Sequence, residues 1–275
     1  MFNQKKILVL ITGKLRFLDQ KNILRLKNSF ENFKLDFFVL AWKGQKQNII
    51  DEFKKHYKPI FYHEIDEYNF NHIVEKIKYP DGAVKTENIL HMWKGISEAA
   101  KYLKKFYSSK NEKPFYILRY RSDILPKEKE KFLIEKELSS KDILIPDRYH
   151  WHGINDQVFL CKFEDIYLFE NFDYFLDKHI SEQRFFCSEY IFLRFLKKNN
   201  FKIRYNDFNY NIMRRQMFEL NDKKNIKDFV RIKDFIPIKD LIIIKQTKMV
   251  YKFRNFKEYF ITKTKRNNYQ DIIIK

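Results

Sequence analysis

Three charged side chains stand two residues apart in the stretch FYILRYRSDILP, Phe115 to Pro126: Arg119, Arg121 and Asp123. Two guanidinium groups can fork onto phosphate oxygens, and a carboxylate can hold a divalent cation, Mn2+ or Mg2+, that bridges those phosphates. The residues leading up to them are apolar and read as a strand. Alternate side chains on a strand share a face, so the trio is expected to emerge together at its carboxyl end, above Phe115 and Ile117. Burying unpaired charge is costly, and a strand-end crevice open to ligand and water makes such a trio tolerable. An internal Arg–Asp ion pair, needing no ligand, is the alternative.

Two further strand ends carry residues of the same kind. The run KKILVLITG is followed by Lys14, Leu15 and Arg16, so that Thr12 offers a hydroxyl, Gly13 lets a ligand approach the backbone, and Arg16 adds a cation. The run LDFFVLAW ends at Trp42, whose ring could stack on a base. Taken singly, such an arginine is usually solvated and such a tryptophan usually belongs to the core. Together, three loaded strand ends in one sheet point to a ligand site.

The elements that must position these residues alternate. Short continuous apolar runs, the pattern of strands covered on both faces, occur at KKILVLITG, LDFFVLAW, PIFYHEI, PFYILRYRSDI and KDILIPD. Between them lie segments with helical spacing: DQKNILRLKNSFENF, with Asp19 as its N-cap, NIIDEFKKHY, and the longer ENILHMWKGISEAAKYLKKFY. Two more amphipathic helices are expected in KFEDIYLFENFDYFLDK and SEYIFLRFLKKNN, followed by a strand at FKIRYND. This order predicts an α/β fold, a mostly parallel sheet flanked by helices, with ligands at the carboxyl ends of the strands. Residues 1–221 are expected to form the main, ligand-binding domain. Residues 222–275, basic, aromatic and interrupted by Pro237, read as a small helical or irregular appendage suited to a membrane surface.

With 275 residues and 44% hydrophobic composition the chain can bury a full core. Its net charge of +19 fits anionic ligands or an anionic membrane, but no nucleic-acid recognition motif accompanies it, so no specific nucleic-acid partner is expected. Lysine, asparagine, isoleucine, phenylalanine and tyrosine are abundant together, as an AT-rich genome produces. Cys161 and Cys187 lack zinc spacing and read as buried thiols. The N-terminal apolar run is too short for a signal peptide, and no apolar stretch spans a bilayer; a cytoplasmic location, peripheral at most to the inner membrane, is expected.

The combination ILVLITGKLR, LDFFVLAW, ILRYRSDI, INDQVFL and SEYIFLRFL resembles the bacterial glycosyltransferases of surface polysaccharides, capsule and lipooligosaccharide, with a GT-A-like Rossmann-type fold. The resemblance covers roughly residues 5 to 205. It implies a nucleotide-sugar donor over the first strands, with Gly13 and Arg16 near nucleotide or phosphate and Arg121 and Asp123 near the diphosphate and a divalent cation; Thr12, Trp42 and Arg119, from the strand-end reading, complete the expected donor site. It also implies a glycan or lipid-linked glycan acceptor, met by His152, Asn155 and Gln157. Asp156 and Glu189 are the carboxylates placed to deprotonate an acceptor hydroxyl. The chain departs from the Asp-x-Asp pattern because Arg121 occupies its first position, so an arginine is available to take over part of a cation's role. A transferase of a nucleotide-activated, phosphate-bearing group is the neighbouring possibility, and a non-catalytic polyanion- or membrane-binding protein the one from another class.

Overall fold

The computed structural model describes residues 5–16, 20–81, 84–150 and 153–212. Asp19, His152 and the appendage at 222–275 lie outside them. The first half of the chain runs β1 (Lys6–Gly13), α1 (Gln20–Ser29), β2 (Lys34–Trp42), α2 (Gln47–Tyr57), β3 (Phe61–Ile65), the single turn α3 (Asn71–Val74), α4 (Thr86–Tyr107) and β4 (Tyr116–Tyr120). The second half runs β5 (Ile124–Pro126), β6 (Asp142–Pro146), β7 (Val158–Lys162), a 3-10 helix (Glu164–Asn171), α5 (Phe172–Ser181), α6 (Ser188–Lys198), β8 (Lys202–Asn206) and β9 (Tyr210–Ile212).

Seven strands form one sheet in the order β3-β2-β1-β4-β7-β6-β8. All neighbouring pairs are parallel except those made by β7, which is antiparallel to β4 and β6. The sheet is thus mixed and mostly parallel, as expected. Ile7 to Ile11 of β1 are all buried because helices cover both faces. One face packs Leu8, Leu10 and Ile117 against α4, the 3-10 helix, α5 and α6, where Trp93 stacks on Phe172 at 4.3 Å between ring centroids. The other packs Ile7, Val9 and Ile11 against α1 and α2 through Ile23, Leu26 and Phe53.

Three local features differ from the expectation. The strand PFYILRYRSDI ends at Tyr120, and Arg121 to Asp123 form a turn into β5. Alternation along a strand therefore places Arg119 but not Arg121 or Asp123. The segment KFEDIYLFENFDYFLDK does not form one helix but a 3-10 helix followed by α5. Lastly, β5 and β9 pair antiparallel as a separate ribbon; each is three residues long, too short for a periodicity signal.

The path of the chain fixes where a ligand can sit. From β1 it winds outward through β2 to β3, then α4 carries it back to β4 on the other side of β1. The direction of winding reverses between β1 and β4, and an open α/β sheet has its ligand crevice outside the carboxyl ends of the strands at such a point.

Candidate functional site

At the β1–β4 reversal the loop carrying Arg16 meets the turn carrying Arg121 and Asp123. Ser122 joins them: its hydroxyl donates to the Lys14 carbonyl at 2.9 Å and accepts from the Arg16 N–H at 3.1 Å. A third loop is tied in by Gln45, whose Oε1 accepts from the Leu15 N–H at 2.6 Å and whose Nε2 donates to the Trp42 carbonyl at 2.9 Å. Gln45 does not stand out in the sequence, and Ser122 does so only as a member of the Arg-x-Arg-Ser-Asp element, because each works through a loop distant along the chain.

The Arg121 guanidinium lies bidentate on Asp123. Nε donates to Oδ1 at 2.9 Å and Nη2 to Oδ2 at 2.6 Å, while Arg16 Nη1 stands 3.5 Å from Oδ2. Burial alone would raise the Asp123 pKa, yet Arg121 and then Arg16 hold it below the usual carboxylate range. Burial likewise works against the charge of Arg121, and Asp123 more than offsets it. The ion pair considered as an alternative is therefore present, and it sits at the β1–β4 reversal with the Arg16 side chain 52% exposed beside it.

This pair bears on the expected cation. Both Asp123 oxygens are engaged by one guanidinium, and the first position of an Asp-x-Asp is itself Arg121. Among the described residues no group of three His, Cys, Asp or Glu side chains could hold a metal ion. The residues present do not fit a divalent cation at Asp123, because the cation would have to displace the guanidinium that is bidentate on that carboxylate.

Arg119, in the same sheet-face position as Ile117 two residues before it, is 1% exposed. Its Nε and Nη1 have no hydrogen-bond partner among the described residues. Burial, then the neighbouring Arg121 charge, lowers its pKa to about 10, against the attraction of Asp156 and Asp123, so it stays cationic at neutral pH.

Trp42 corrects the stacking expectation. It is buried beneath Gly13, edge-on to Tyr68 and to His91, and Gly95 of α4 presses against both it and Thr12. The ring is a floor for the β1 turn, and it presents no open face to a base. Gly13 has φ +96°, a conformation that favours glycine, and a Cβ there would stand 3.4 Å from the indole nitrogen. Tyr68, exposed at the carboxyl end of β3, is an aromatic surface that no strand-end pattern in the sequence marks.

The carboxylates Asp156 and Glu189 come together at the start of α6. Trp93 Nε1 donates to the Ser188 hydroxyl at 3.1 Å, and that hydroxyl donates to Asp156 Oδ2. Asp156 is buried, and burial raises its pKa against the opposing effects of Ser188, Arg121 and Arg119. Glu189 is half-buried, and burial followed by the Asp156 charge pushes it up to about 8. The buried Cys187 thiol donates to Glu189 Oε2 at 2.9 Å; its own pKa lies well above the usual value through burial, then Glu189, so it remains a donor.

Asn155 and Gln157, expected to meet acceptor hydroxyls, are buried and bonded inward. Asn155 Nδ2 donates to the Arg148 carbonyl at 2.8 Å and to the Tyr210 hydroxyl at 2.7 Å, and its Oδ1 accepts from the Gln157 N–H. The Tyr210 hydroxyl donates in turn to Gln157 Oε1 at 3.1 Å. With its amide consumed by these bonds, Asn155 shapes the loop beside Asp156; an acceptor sugar would find its side chain covered.

Gly153 sets this loop against α6. A Cβ at Gly153 would overlap the Glu189 carbonyl and lie 2.6 Å from the Tyr190 nitrogen, and Ile154 N–H donates to the Glu189 carbonyl at 3.3 Å. Gly153→Ala is therefore expected to push the loop off α6 and lower stability by about 1–3 kcal/mol. A denaturant melt checks this, and unchanged stability would show that the loop yields freely.

The fold is a Rossmann-type α/β domain, GT-A-like, with an arginine cluster on Asp123 at its topological reversal. No protein-family model and no curated protein matches the sequence. Among solved structures, the chain is similar to a Drosophila β-1,4-galactosyltransferase 7 variant in complex with manganese, UDP-Gal and xylobiose, at 12% identity over 82% of this chain and 79% of that chain, with a TM-score of 0.37. It is also similar to apo GlyE of Streptococcus pneumoniae, a glycosyltransferase, at 10% identity over 73% of this chain and 45% of that chain, with a TM-score of 0.38. Among the described residues no helix is long and apolar enough to cross a membrane.

Proposed function

We propose that this chain is a nucleotide-sugar-dependent glycosyltransferase of GT-A-like architecture. The observation that carries the reading is the gathering of the Arg16 and Arg121 guanidinium groups on Asp123 at one strand-end reversal, with Asp156 of the Asp156–Glu189 carboxylate pair within electrostatic reach of Arg121. Two cations suit the diphosphate of a donor, whose charge grows as the sugar leaves. A carboxylate with a raised pKa suits proton abstraction near neutral pH. Glu189 is the better base, because Asp156 is buried and held by Ser188. In the step, Glu189 takes the proton of the acceptor hydroxyl as that oxygen bonds to the anomeric carbon. The bond from that carbon to the diphosphate oxygen breaks, and its electron pair leaves with the nucleoside diphosphate.

The motif resemblance supports a growing capsule or lipooligosaccharide glycan, or its lipid-linked form, as acceptor. The appendage at 222–275, with Phe253, Phe256, Tyr259 and Phe260 among Lys252, Arg254 and Lys257, is assigned to peripheral contact with the inner membrane. Arg119 favours a variant of this reading. A buried guanidinium with two unpartnered nitrogens suits a transferred group carrying its own anion, such as a phosphate.

Calorimetry with uridine, guanosine, cytidine and adenosine diphosphates tests the proposal. One of them is expected to bind selectively and to lose roughly 1.5–3 kcal/mol for each charge-assisted hydrogen bond to phosphate that Arg16→Ala removes. Equal, salt-sensitive binding of any polyanion, indifferent to Arg16, would instead establish a non-catalytic basic surface.

A further inference from the structure

We infer that this site neutralises the donor diphosphate with an arginine pair held by Asp123, and that it needs no divalent cation there; the inference rests on the nucleotide-sugar reading above. Arg121 carries five N–H groups, and Asp123 uses one on Nε and one on Nη2. The three others stay available in a plane fixed by that fork. Arg16, half in solvent, brings a second guanidinium to the same carboxylate from the β1 loop. Two loops pinned to each other by Ser122 thus present two cations at the topological reversal before any ligand arrives.

Asp123 is then a positioning residue. A carboxylate that fixes a guanidinium does for arginine what an outer partner does for a metal-ligating histidine: it sets the direction of the donors. The same ion pair spoils the carboxylate as a metal ligand. A dication arriving at Asp123 would meet Arg121 at hydrogen-bond distance and Arg16 at 3.5 Å, both repelling it. Among the described residues no cluster of three His, Cys, Asp or Glu side chains offers a dication another seat.

The experiment uses the full chain. The four nucleoside diphosphates are titrated by calorimetry in EDTA, and again with Mn2+ or Mg2+ added. One diphosphate is expected to bind in EDTA with an affinity that the cations leave within about twofold, well below the tenfold that 1.4 kcal/mol represents. Tightening by about tenfold or more on adding cation overturns this inference and leaves the glycosyltransferase reading standing. If no diphosphate binds in either condition, that reading fails and takes this one with it. A second variant, Arg121→Asp, places two carboxylates two residues apart. It is expected to weaken diphosphate binding in EDTA by about tenfold or more and to retain Mn2+ detectable by electron paramagnetic resonance, which the wild-type chain should not. Wild-type retention of Mn2+ that disappears in Asp123→Asn overturns the inference.

Discussion

Glu189→Gln is expected to keep nucleoside diphosphate affinity and to slow sugar transfer by about 10²–10⁴-fold, the usual contribution of a positioned general base. The swap preserves shape, so the chain should still fold; only the group able to take a proton from the acceptor is gone. The pH dependence separates this role from a structural one. Burial, followed by the Asp156 charge, lifts Glu189 from its ordinary 4.5 to about 8. A group that binds its proton more tightly in the folded chain favours folding fully below its unfolded pKa, and that contribution is lost as pH rises to the folded value. Wild-type Tm should therefore decline between about pH 5 and pH 8, and Glu189→Gln should flatten the decline. Turnover should rise across the same window as the carboxylate ionises. A Glu189→Gln enzyme with wild-type turnover would transfer the role to Asp156 or to water.

The second large effect is expected from Arg121→Ala. Asp123 is 3% exposed, so removing its bidentate partner leaves a buried carboxylate with Arg16 at 3.5 Å and the more distant charge of Arg119. The expected destabilisation is about 3 kcal/mol, at the lower end for a broken buried pair because Arg16 remains. Nucleoside diphosphate affinity should fall as well, by roughly 1.5–3 kcal/mol for each phosphate hydrogen bond that the guanidinium no longer makes. The sign with pH runs opposite to that of Glu189. Asp123 is held below its ordinary value, so its pairing stabilises above that value and is lost as pH falls through the depressed one. Wild type and variant should thus converge in acid. Arg121→Ala combined with Asp123→Ala should recover part of the stability, since no orphan charge is left, but none of the diphosphate affinity. Denaturant melts at neutral and acid pH, with one calorimetric titration, decide the matter. A destabilised variant with unchanged diphosphate binding would reduce Arg121 to a structural ion pair.

Local chemistry carried a good part of this protein into view. The runs Lys6–Gly13, Lys34–Trp42 and Tyr116–Tyr120 are mostly apolar at consecutive positions, as strands of a doubly covered sheet are, and their alternation with helical stripes such as Ile89, Trp93, Ile96 and Leu103 set the winding order. That order already directs Arg16 and Arg121 to strand ends in one sheet. Other features depended on partners that periodicity does not report. Nothing in the run VFLCK fixes its direction, since a buried strand reads the same either way; β7 runs antiparallel because of its neighbours β4 and β6. Trp42 reads as a stacking platform until Gly13 and Gly95 are seen to close over it. Arg121 and Asp123 stand two residues apart, but only the turn after Tyr120 folds one onto the other and so turns a candidate metal ligand into the anchor of a guanidinium. The raised pKa of Glu189 belongs wholly to the tertiary structure. It arises from burial at the start of α6 and from Asp156 on a loop that Gly153 allows to lie close enough. Residue type and spacing determine which groups can do chemistry; desolvation and charges brought in from elsewhere in the chain determine which of them are poised to do it.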